Sequence, residues 1–141
     1  MNLPCKNPII THGFHEKRKR PNGTFRIHGG LDIISETGDL DLFAVNSGIV
    51  VDAGVSDTYG NRIRIKNYNG IYEVYGHLQD INPEIQKGYT IKEGQYLGIM
   101  GNTGISKNIH LHYGLSYGTT KTSEKIEPVE LINKIKESKN D

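Results

Sequence analysis

The sequence predicts a mainly β fold, a single small domain of antiparallel sheets with one short C-terminal helix. The chain has 141 residues, a length that suits one domain with a sizeable core. Its 17 glycines indicate many tight turns, which are typical of an all-β fold and not of a helical bundle. Short apolar runs separated by turn residues continue from Phe43 onward, with neither an internal repeat nor a linker to divide the chain.

Apolar patterning and turn residues together predict the individual strands. The Asn69–Gly70 pair stands between two alternating runs and is a strong signal for a β-hairpin. A second hairpin or tight turn is predicted at residues 46–48. The predicted strands cover residues 43–45, 49–51, 62–66, 71–78, 89–91, 95–100 and 109–115.

The two ends of the chain are predicted to differ from this β region. Residues 1–25 contain three prolines and are predicted to be an irregular N-terminal segment. Pro128 suits the first turn of a helix, and apolar residues recur at every third position behind it. We therefore expect a helix over residues 127–137, closing a single domain that spans residues 1–141.

Charge and composition exclude several classes of protein. The net charge of +1 gives no reason to expect a nucleic acid or an anionic membrane as the partner. No segment approaches the roughly 18 consecutive apolar residues of a membrane-spanning helix, and residues 1–10 lack the apolar core of a signal peptide. The single cysteine, Cys5, excludes an internal disulfide framework and a cysteine-based zinc finger.

Two histidines share one face of the predicted strand 109–115. Because side chains alternate along a strand, His110 and His112 point the same way, about 7 Å apart. The alternate apolar residues, beginning with Ile109, are predicted to face the core. Two such imidazoles can bind a metal together, or one can bind a metal while the other transfers protons. The alternative is a pair of histidines on a solvated sheet face.

A second candidate stretch has the letters HGGLD at residues 28–32. His28 and Asp32 are four residues apart, a ligand spacing found on helices in some metalloproteases. The two glycines between them disfavour a helix, because each costs about 1 kcal/mol relative to alanine. The stretch therefore predicts a glycine-bent loop that enters a strand, with both side chains converging. The alternative is an ordinary flexible turn.

A third candidate is His77 in the predicted strand 71–78. Strand alternation predicts that His77 shares a face with Tyr75 and Glu73. Val74 and Leu78 are then predicted to face the core. The alternative for this residue is a structural histidine, hydrogen-bonded near the end of a strand.

Together these stretches offer four imidazoles and one carboxylate away from the core. Catalytic zinc commonly takes three such ligands and leaves one position open, where it activates water and polarises a carbonyl. Two histidines and a carboxylate also form the facial triad of non-haem iron oxygenases, which is a competing interpretation. The remaining imidazoles, with an ordinary pKa near 6.5, suit proton transfer and favour hydrolysis.

The motifs HGGLD, YGHL and HLH occur in this order at residues 28–32, 75–78 and 110–112. YGN at 59–61, GIMGNTG at 98–104 and EPVEL at 127–131 accompany them. With these motifs the chain resembles the LytM/lysostaphin-type zinc metalloendopeptidases, which cleave cross-bridge or stem peptides of bacterial peptidoglycan. The resemblance implies antiparallel sheets that form an open groove and peptidoglycan peptides as the substrate.

The resemblance also implies a role for each site residue. One Zn²⁺ would be bound by His28, Asp32 and His112, and His110 and His77 would be the catalytic histidines. One of these two would take a proton from the attacking water, and the other would stabilise the oxyanion or protonate the leaving amine. His110 is the expected general base, although the sequence does not separate the two roles. His12 and His15 lie outside the motifs and are expected to be ordinary loop residues, with a place in the lining of the groove as the alternative.

Several features depart from the family pattern and keep alternatives open. The early Phe-Gly-x-Arg of many members is absent, as are the Gly-Pro before HLH and the glutamate after it. A non-catalytic wall-binding or scaffold domain of the same fold is the main alternative. A biotinyl or lipoyl carrier is disfavoured because no lysine motif stands at a hairpin tip. Without a signal peptide, we expect a phage virion or lysis protein, or export by another route; the oligomeric state stays open.

Overall fold

The computed structural model describes residues 1–120 and 122–139, except for the side chains of residues 18 and 26. Within these residues the chain forms two sheets and a C-terminal helix. The elements are β1 (Pro8–His12), β2 (Lys17–Lys19), β3 (Phe25–Ile27), β4 (Leu31–Ser35), β5 (Asp41–Phe43), β6 (Gly48–Ser56), β7 (Gly60–Asn67), β8 (Tyr72–Ile81), β9 (Thr90–Ile91), β10 (Tyr96–Met100), β11 (Leu111–Ser116), β12 (Lys125–Ile126) and α1 (Val129–Ser138).

The larger sheet is antiparallel and contains ten strands, whereas β2 and β3 form a separate ribbon. Its main path runs β1-β4-β11-β8-β7-β6-β9, with β10 paired to β8 and β5, and β12 paired to β11. Strand β11 therefore lies between β4 and β8. This order places the three motif-bearing segments side by side, although they are far apart in sequence.

One face of this sheet packs on the hydrophobic core, which confirms the predicted mainly β fold. Leu31 and Ile33 of β4, Leu111 of β11 and Ile63 and Ile65 of β7 are fully buried there. These residues alternate along their strands, as the period of two requires. Helix α1 covers part of the core with Leu131 and Ile135, and in the described part of the chain no helix has the length and apolarity to cross a membrane.

The N-terminal segment is more regular than predicted. Residues 1–25 contain β1 and β2, and β2 turns into β3 through a hairpin. The backbone N–H of Arg20 donates to the carbonyl of Thr24, and Gly23 has φ +88°. An Asn-Gly pair at 22–23 supplies the positive φ that such a turn requires. The prediction of an irregular segment was wrong because the three prolines stand at the start of β1 or outside the strands and interrupt none of them.

Two further predictions differ from the structure in their details. The hairpin predicted around residues 46–48 is wrong, because β5 pairs with β10 while β6 pairs with β7 and β9. The C-terminal helix begins at Val129 and ends at Ser138, against the predicted 127–137, with Pro128 at its N-cap. Pro128 therefore precedes the first turn instead of lying within it.

Candidate metal centre

The pairing of β11 with both neighbours places His112 at the middle of the candidate site. His112 pairs with Asp32 of β4 on one side and with Gly76 of β8 on the other. Its ring lies against the backbone before β4, where a Cβ on Gly30 would stand 2.9 Å from ring atoms of His112. The second glycine of HGGLD therefore leaves the space that this imidazole occupies.

His28 is oriented by the loop that precedes β2. Its Nδ1 lies 3.0 Å from the carbonyl oxygen of Gly13. Because a carbonyl only accepts, Nδ1 carries the hydrogen and Nε2 carries a lone pair. This Nε2 lies 3.0 Å from Oδ1 of Asp32, yet it is a buried atom with no hydrogen-bond partner among the described residues. A lone pair thus faces a carboxylate oxygen, an arrangement that a cation between them would relieve.

Asp32 is the point on which the imidazoles converge. Besides His28, Nδ1 of His112 lies 3.4 Å and Nε2 of His110 lies 3.5 Å from the same oxygen, Oδ1. His28, Asp32 and His112 are all buried, and each offers a ligand atom within 4.8 Å of the other two. Two nitrogens and one carboxylate oxygen at this spacing form the donor set of a catalytic zinc site, so the residues present fit this ion.

Burial keeps His112 in the form that a metal requires. Removal from water lowers the pKa of His112 to about 4, although the neighbouring Asp32 carboxylate opposes this shift. The imidazole is therefore neutral at neutral pH, and a neutral imidazole is the form that ligates a metal.

His77 and His110 lie beside this group, with their ring centroids 4.8 Å apart. Nδ1 of His77 lies 2.7 Å from the carbonyl oxygen of Thr103, and Nδ1 of His110 lies 2.7 Å from that of Asn108. Each Nδ1 therefore donates to a carbonyl, which places a lone pair on each Nε2. Both rings are anchored by the backbone and present the atom that can take or return a proton.

The structure corrects how His77 reaches the site. Tyr75 and Glu73, the residues predicted to share its face, are fully buried on the core side, and Val74 is half-buried on the opposite side. The alternation ends at His77, whose φ is +68° and whose N–H donates to the carbonyl of Tyr59 over 2.6 Å. A kink in the backbone, and not the strand period, places this ring beside those of His110 and His112.

Ile109 is a second exception to the predicted alternation. Its side chain is 52% exposed, because β11 begins only at Leu111. His110 lies just before the strand, in an isolated bridge with Gly101. His110 is therefore held by the loop that leads into β11, whereas His112 is held by the sheet.

His12 is a site residue that the sequence analysis missed. Its Nδ1 lies 3.5 Å from Oδ2 of Asp32, the oxygen that does not face the other imidazoles. The register pairs His12 directly with Asp32, next to an irregularity in β1. This position had no recognisable signal, because β1 itself was not predicted.

A cleft of about 850 Å³ opens over these side chains. Its walls come from the end of β1, from the β2 region, and from the stretches 58–59 and 104–110. His12, His28, Asp32, His77, His110 and His112 all contribute to its lining.

A second buried carboxylate, Glu73, lies on the core face of the same sheet. It accepts hydrogen bonds from Asn46 Nδ2 at 2.7 Å, Asn67 Nδ2 at 3.0 Å and the hydroxyl of Tyr75 at 2.7 Å. The hydroxyl of Tyr113 also faces this carboxylate. Burial raises the pKa of Glu73 above its ordinary value of 4.5, and these hydrogen bonds partly offset the effect.

Comparisons with known proteins agree with this geometry. Residues 26–128 match the model of peptidase family M23. Peptidoglycan DD-endopeptidase ShyC of Vibrio cholerae is 30% identical over 105 residues, which cover 74% of this chain and 24% of that protein. This chain therefore spans about a quarter or less of the length of such curated relatives.

Solved structures share the fold. The catalytic domain of lysostaphin from Staphylococcus simulans has a TM-score of 0.76 and 28% identity, covering 90% of this chain and 93% of that chain. The SpoIIQ–SpoIIIAH pore forming complex has a TM-score of 0.73 at 20% identity, covering 97% and 96%, which is a likeness of fold alone. The family match includes all three histidine motifs, at residues 28–32, 75–78 and 110–112. The resemblance to lysostaphin-type enzymes is confirmed, and the chain belongs to peptidase family M23, whose homologues are peptidoglycan endopeptidases.

Proposed function

We propose that this protein is a zinc-dependent endopeptidase that hydrolyses peptide bonds in the cross-bridges or stems of bacterial peptidoglycan. The observation that carries the proposal is the lone pair of His28 Nε2, which is buried 3.0 Å from Oδ1 of Asp32. Nδ1 of His112 lies 3.4 Å from the same oxygen and is the third donor atom of the group. A buried lone pair that faces a carboxylate oxygen is unfavourable by itself and favourable around a cation.

In this proposal His28, Asp32 and His112 hold one Zn²⁺. When bound, the ion supplies Lewis-acid activation of water and of the peptide carbonyl. The chain contributes the orientation of the donors: Gly13 fixes the ring of His28, and the β4–β11 pairing fixes Asp32 against His112. Orienting partners of this kind set the tautomer and direction of a ligand before the metal binds.

His110 and His77 perform the proton transfers. Nε2 of His110 lies 3.5 Å from Asp32 Oδ1, next to the ligand group, so His110 accepts the proton of the attacking water. His77 lies across from it, and its ring stabilises the developing oxyanion or returns a proton to the leaving amine. Each ring keeps its orientation because its Nδ1–H stays bonded to a backbone carbonyl.

The proposal extends to the domain and to the place of action. Residues 1–141 form one peptidase domain that acts on the bacterial cell wall, as a phage virion or lysis protein or as an exported bacterial protein. The similarity to ShyC, a peptidoglycan DD-endopeptidase, supports a cell-wall substrate. Neither a nucleic acid nor membrane insertion enters the proposal.

Digestion of purified peptidoglycan tests this function. The zinc-loaded chain is expected to release muropeptides whose masses and new amino termini identify the bond cut. A chelator should stop the release, and added zinc should restore it. Unchanged peptidoglycan with the zinc-loaded chain would refute the proposal.

The same experiment evaluates the second candidate, a non-catalytic wall-binding or scaffold domain. The likeness to the SpoIIQ–SpoIIIAH complex favours this candidate, because the fold also occurs in an assembly. It predicts that the chain sediments with peptidoglycan, with or without zinc, and leaves every peptide bond intact.

A further inference from the structure

Two glycines fasten a pair of loops together beside His77. Gly60 and Gly104 have φ of +63° and +74°, which side chains rarely adopt. A Cβ on Gly60 would collide with backbone atoms of Thr103 and Gly104, and a Cβ on Gly104 would collide with the backbone of Gly60. The loops before β7 and after β10 therefore touch backbone to backbone. We call this contact, Gly60 with Gly104, the glycine clasp.

The side chain of Thr103 lies against Gly60 in the glycine clasp. Its Oγ1 donates to the carbonyl of Leu78 at 2.7 Å and accepts the backbone N–H of Asn61 at 3.0 Å. Its own carbonyl oxygen lies 2.7 Å from Nδ1 of His77. The hydroxyl thus ties its residue to β7 and β8, and the carbonyl of the same residue determines which nitrogen of His77 carries the hydrogen.

Both sides of the clasp hold His77. The residue before Gly60, Tyr59, accepts the N–H of His77 through its carbonyl, and the residue before Gly104, Thr103, accepts the ring N–H. A histidine with φ +68° persists only where the surrounding structure fixes it. The clasp supplies this restraint at the backbone and at the ring together.

We propose that Thr103 is a positioning residue of the site, whose hydroxyl holds the carbonyl that keeps His77 in the Nδ1–H tautomer with Nε2 toward the cleft. Its effect on turnover rests on the proposed function. Its effect on the ring of His77 does not, because the tautomer is a property of the folded chain with or without a substrate.

The test uses two substitutions of similar size. Thr103→Val keeps the branched shape and removes the hydroxyl, whereas Thr103→Ser keeps the hydroxyl. Thr37→Val is the matched control, since Thr37 bonds Asp39 in an exposed turn outside the cleft lining. Circular dichroism and zinc content first establish that each variant is folded and loaded.

Two readouts distinguish positioning from a general loss of structure. The ¹⁵N NMR signals of the His77 ring should show the Nδ1–H tautomer in the zinc-loaded wild type, in Thr103→Ser and in Thr37→Val, and a shift toward Nε2–H in Thr103→Val. On peptidoglycan peptides, Thr103→Val should lower kcat by about tenfold or more and leave KM nearly unchanged. The loss is smaller than that from removing a general acid or base, because the His77 ring is still present. Thr103→Ser should recover most of kcat.

A folded, zinc-loaded Thr103→Val with the wild-type tautomer and wild-type kcat would overturn the proposal. So would the Nε2–H tautomer in the wild-type chain, a result that needs no variant. If Thr103→Val does not fold, Thr103→Ala is measured in its place with the same expectations. If the wild type has no turnover, the proposed function fails while the tautomer still decides the role of Thr103.

Discussion

Two buried carboxylates, Asp32 and Glu73, lie on opposite faces of one sheet and have opposite surroundings. Around Glu73 every described partner donates: the amides of Asn46 and Asn67 and the hydroxyl of Tyr75 point their hydrogens at the carboxylate. Beside Asp32, at 3.0 Å from its Oδ1, lies Nε2 of His28, which carries a lone pair because its Nδ1 donates to a carbonyl.

The difference separates a structural group from a functional one. The carboxylate of Glu73 receives from the chain the hydrogen bonds that burial requires, so it stabilises the fold without a ligand. Beside Asp32, the lone pair of His28 Nε2 faces a carboxylate oxygen, and this nitrogen has no hydrogen-bond partner among the described residues. A cation between these two atoms would relieve that arrangement, whereas the donors around Glu73 leave its carboxylate no need of a ligand.

Removal of each carboxylate in turn should separate the two clusters most clearly. Asp32→Ala should abolish zinc-dependent hydrolysis and weaken zinc binding by more than the roughly 10- to 100-fold that loss of an outer partner costs. Glu73→Gln should keep the zinc affinity of the wild type. Competition with a chromophoric chelator measures both affinities. If the two variants lost zinc equally, the distinction between the clusters would disappear.

Removal of a proton-transferring ring separates chemistry from metal binding. His110→Ala should lower kcat by about 10²- to 10⁴-fold, the usual contribution of a general acid or base, because it removes the Nε2 proposed to take the proton of the attacking water. The variant should still bind one equivalent of zinc, since the proposed ligands are His28, Asp32 and His112. Steady-state kinetics with elemental analysis provides the check. Loss of the metal would instead place His110 among the ligands.

Zinc should stabilise the wild-type chain and not a variant without a ligand. At a free zinc concentration 100 times the Kd, binding to the folded state adds about 2.7 kcal/mol to the free energy of unfolding. In His28→Ala this gain should nearly vanish. Thermal unfolding with zinc and with a chelator measures the difference, and an equal gain in both proteins would argue for a zinc site elsewhere.

The Glu73 cluster should instead affect stability in a pH-dependent way. Glu73→Gln should lower the free energy of unfolding by about 1–3 kcal/mol, because a glutamine amide turns one donor toward neighbours that are themselves donors. Burial raises the pKa of Glu73 above 4.5 in the folded chain. The folded chain thus holds this proton more tightly than the unfolded chain, so wild-type stability falls as pH rises from 4.5 through the raised pKa.

The glutamine variant has no such proton and should lack this part of the slope. Urea unfolding of both proteins on either side of pH 4.5 gives the two slopes. If the free energies of unfolding of the two proteins changed in parallel with pH, the pKa of Glu73 would not be raised, and its cluster would be less desolvated than its burial indicates.

The structure brings the side chains of the three histidine motifs close together, but strand alternation predicted only part of their geometry. Strand alternation correctly placed Leu111 in the core and His112 on the opposite face. It failed at His77, because one residue with positive φ reverses the direction of the side chain, and such a kink has no signature in an apolar pattern. Motif identity was therefore more informative here than periodicity.

In the fold, neighbouring residues specified the hairpins but not the pairing of strands that are distant in sequence. The turn at Asn69–Gly70 and the pairing of β7 with β8 followed from adjacent residues. The β2–β3 hairpin carried the same Asn-Gly signal at residues 22–23, and it was missed because nearby prolines suggested irregular chain. The partner of β5 is β10, about fifty residues further on, and no local pattern specifies such a pairing.

The position of β11 between β4 and β8 gives the metal centre a second consequence, for folding. Asp32 and His112 are 80 residues apart along the chain, so an ion held by both would act as a cross-link that closes a long loop. Only a chain with β4 already beside β11 presents all three ligands together. If the chain binds zinc as proposed, zinc affinity and the completion of the sheet are linked, and the ion would favour the finished fold over partly folded forms.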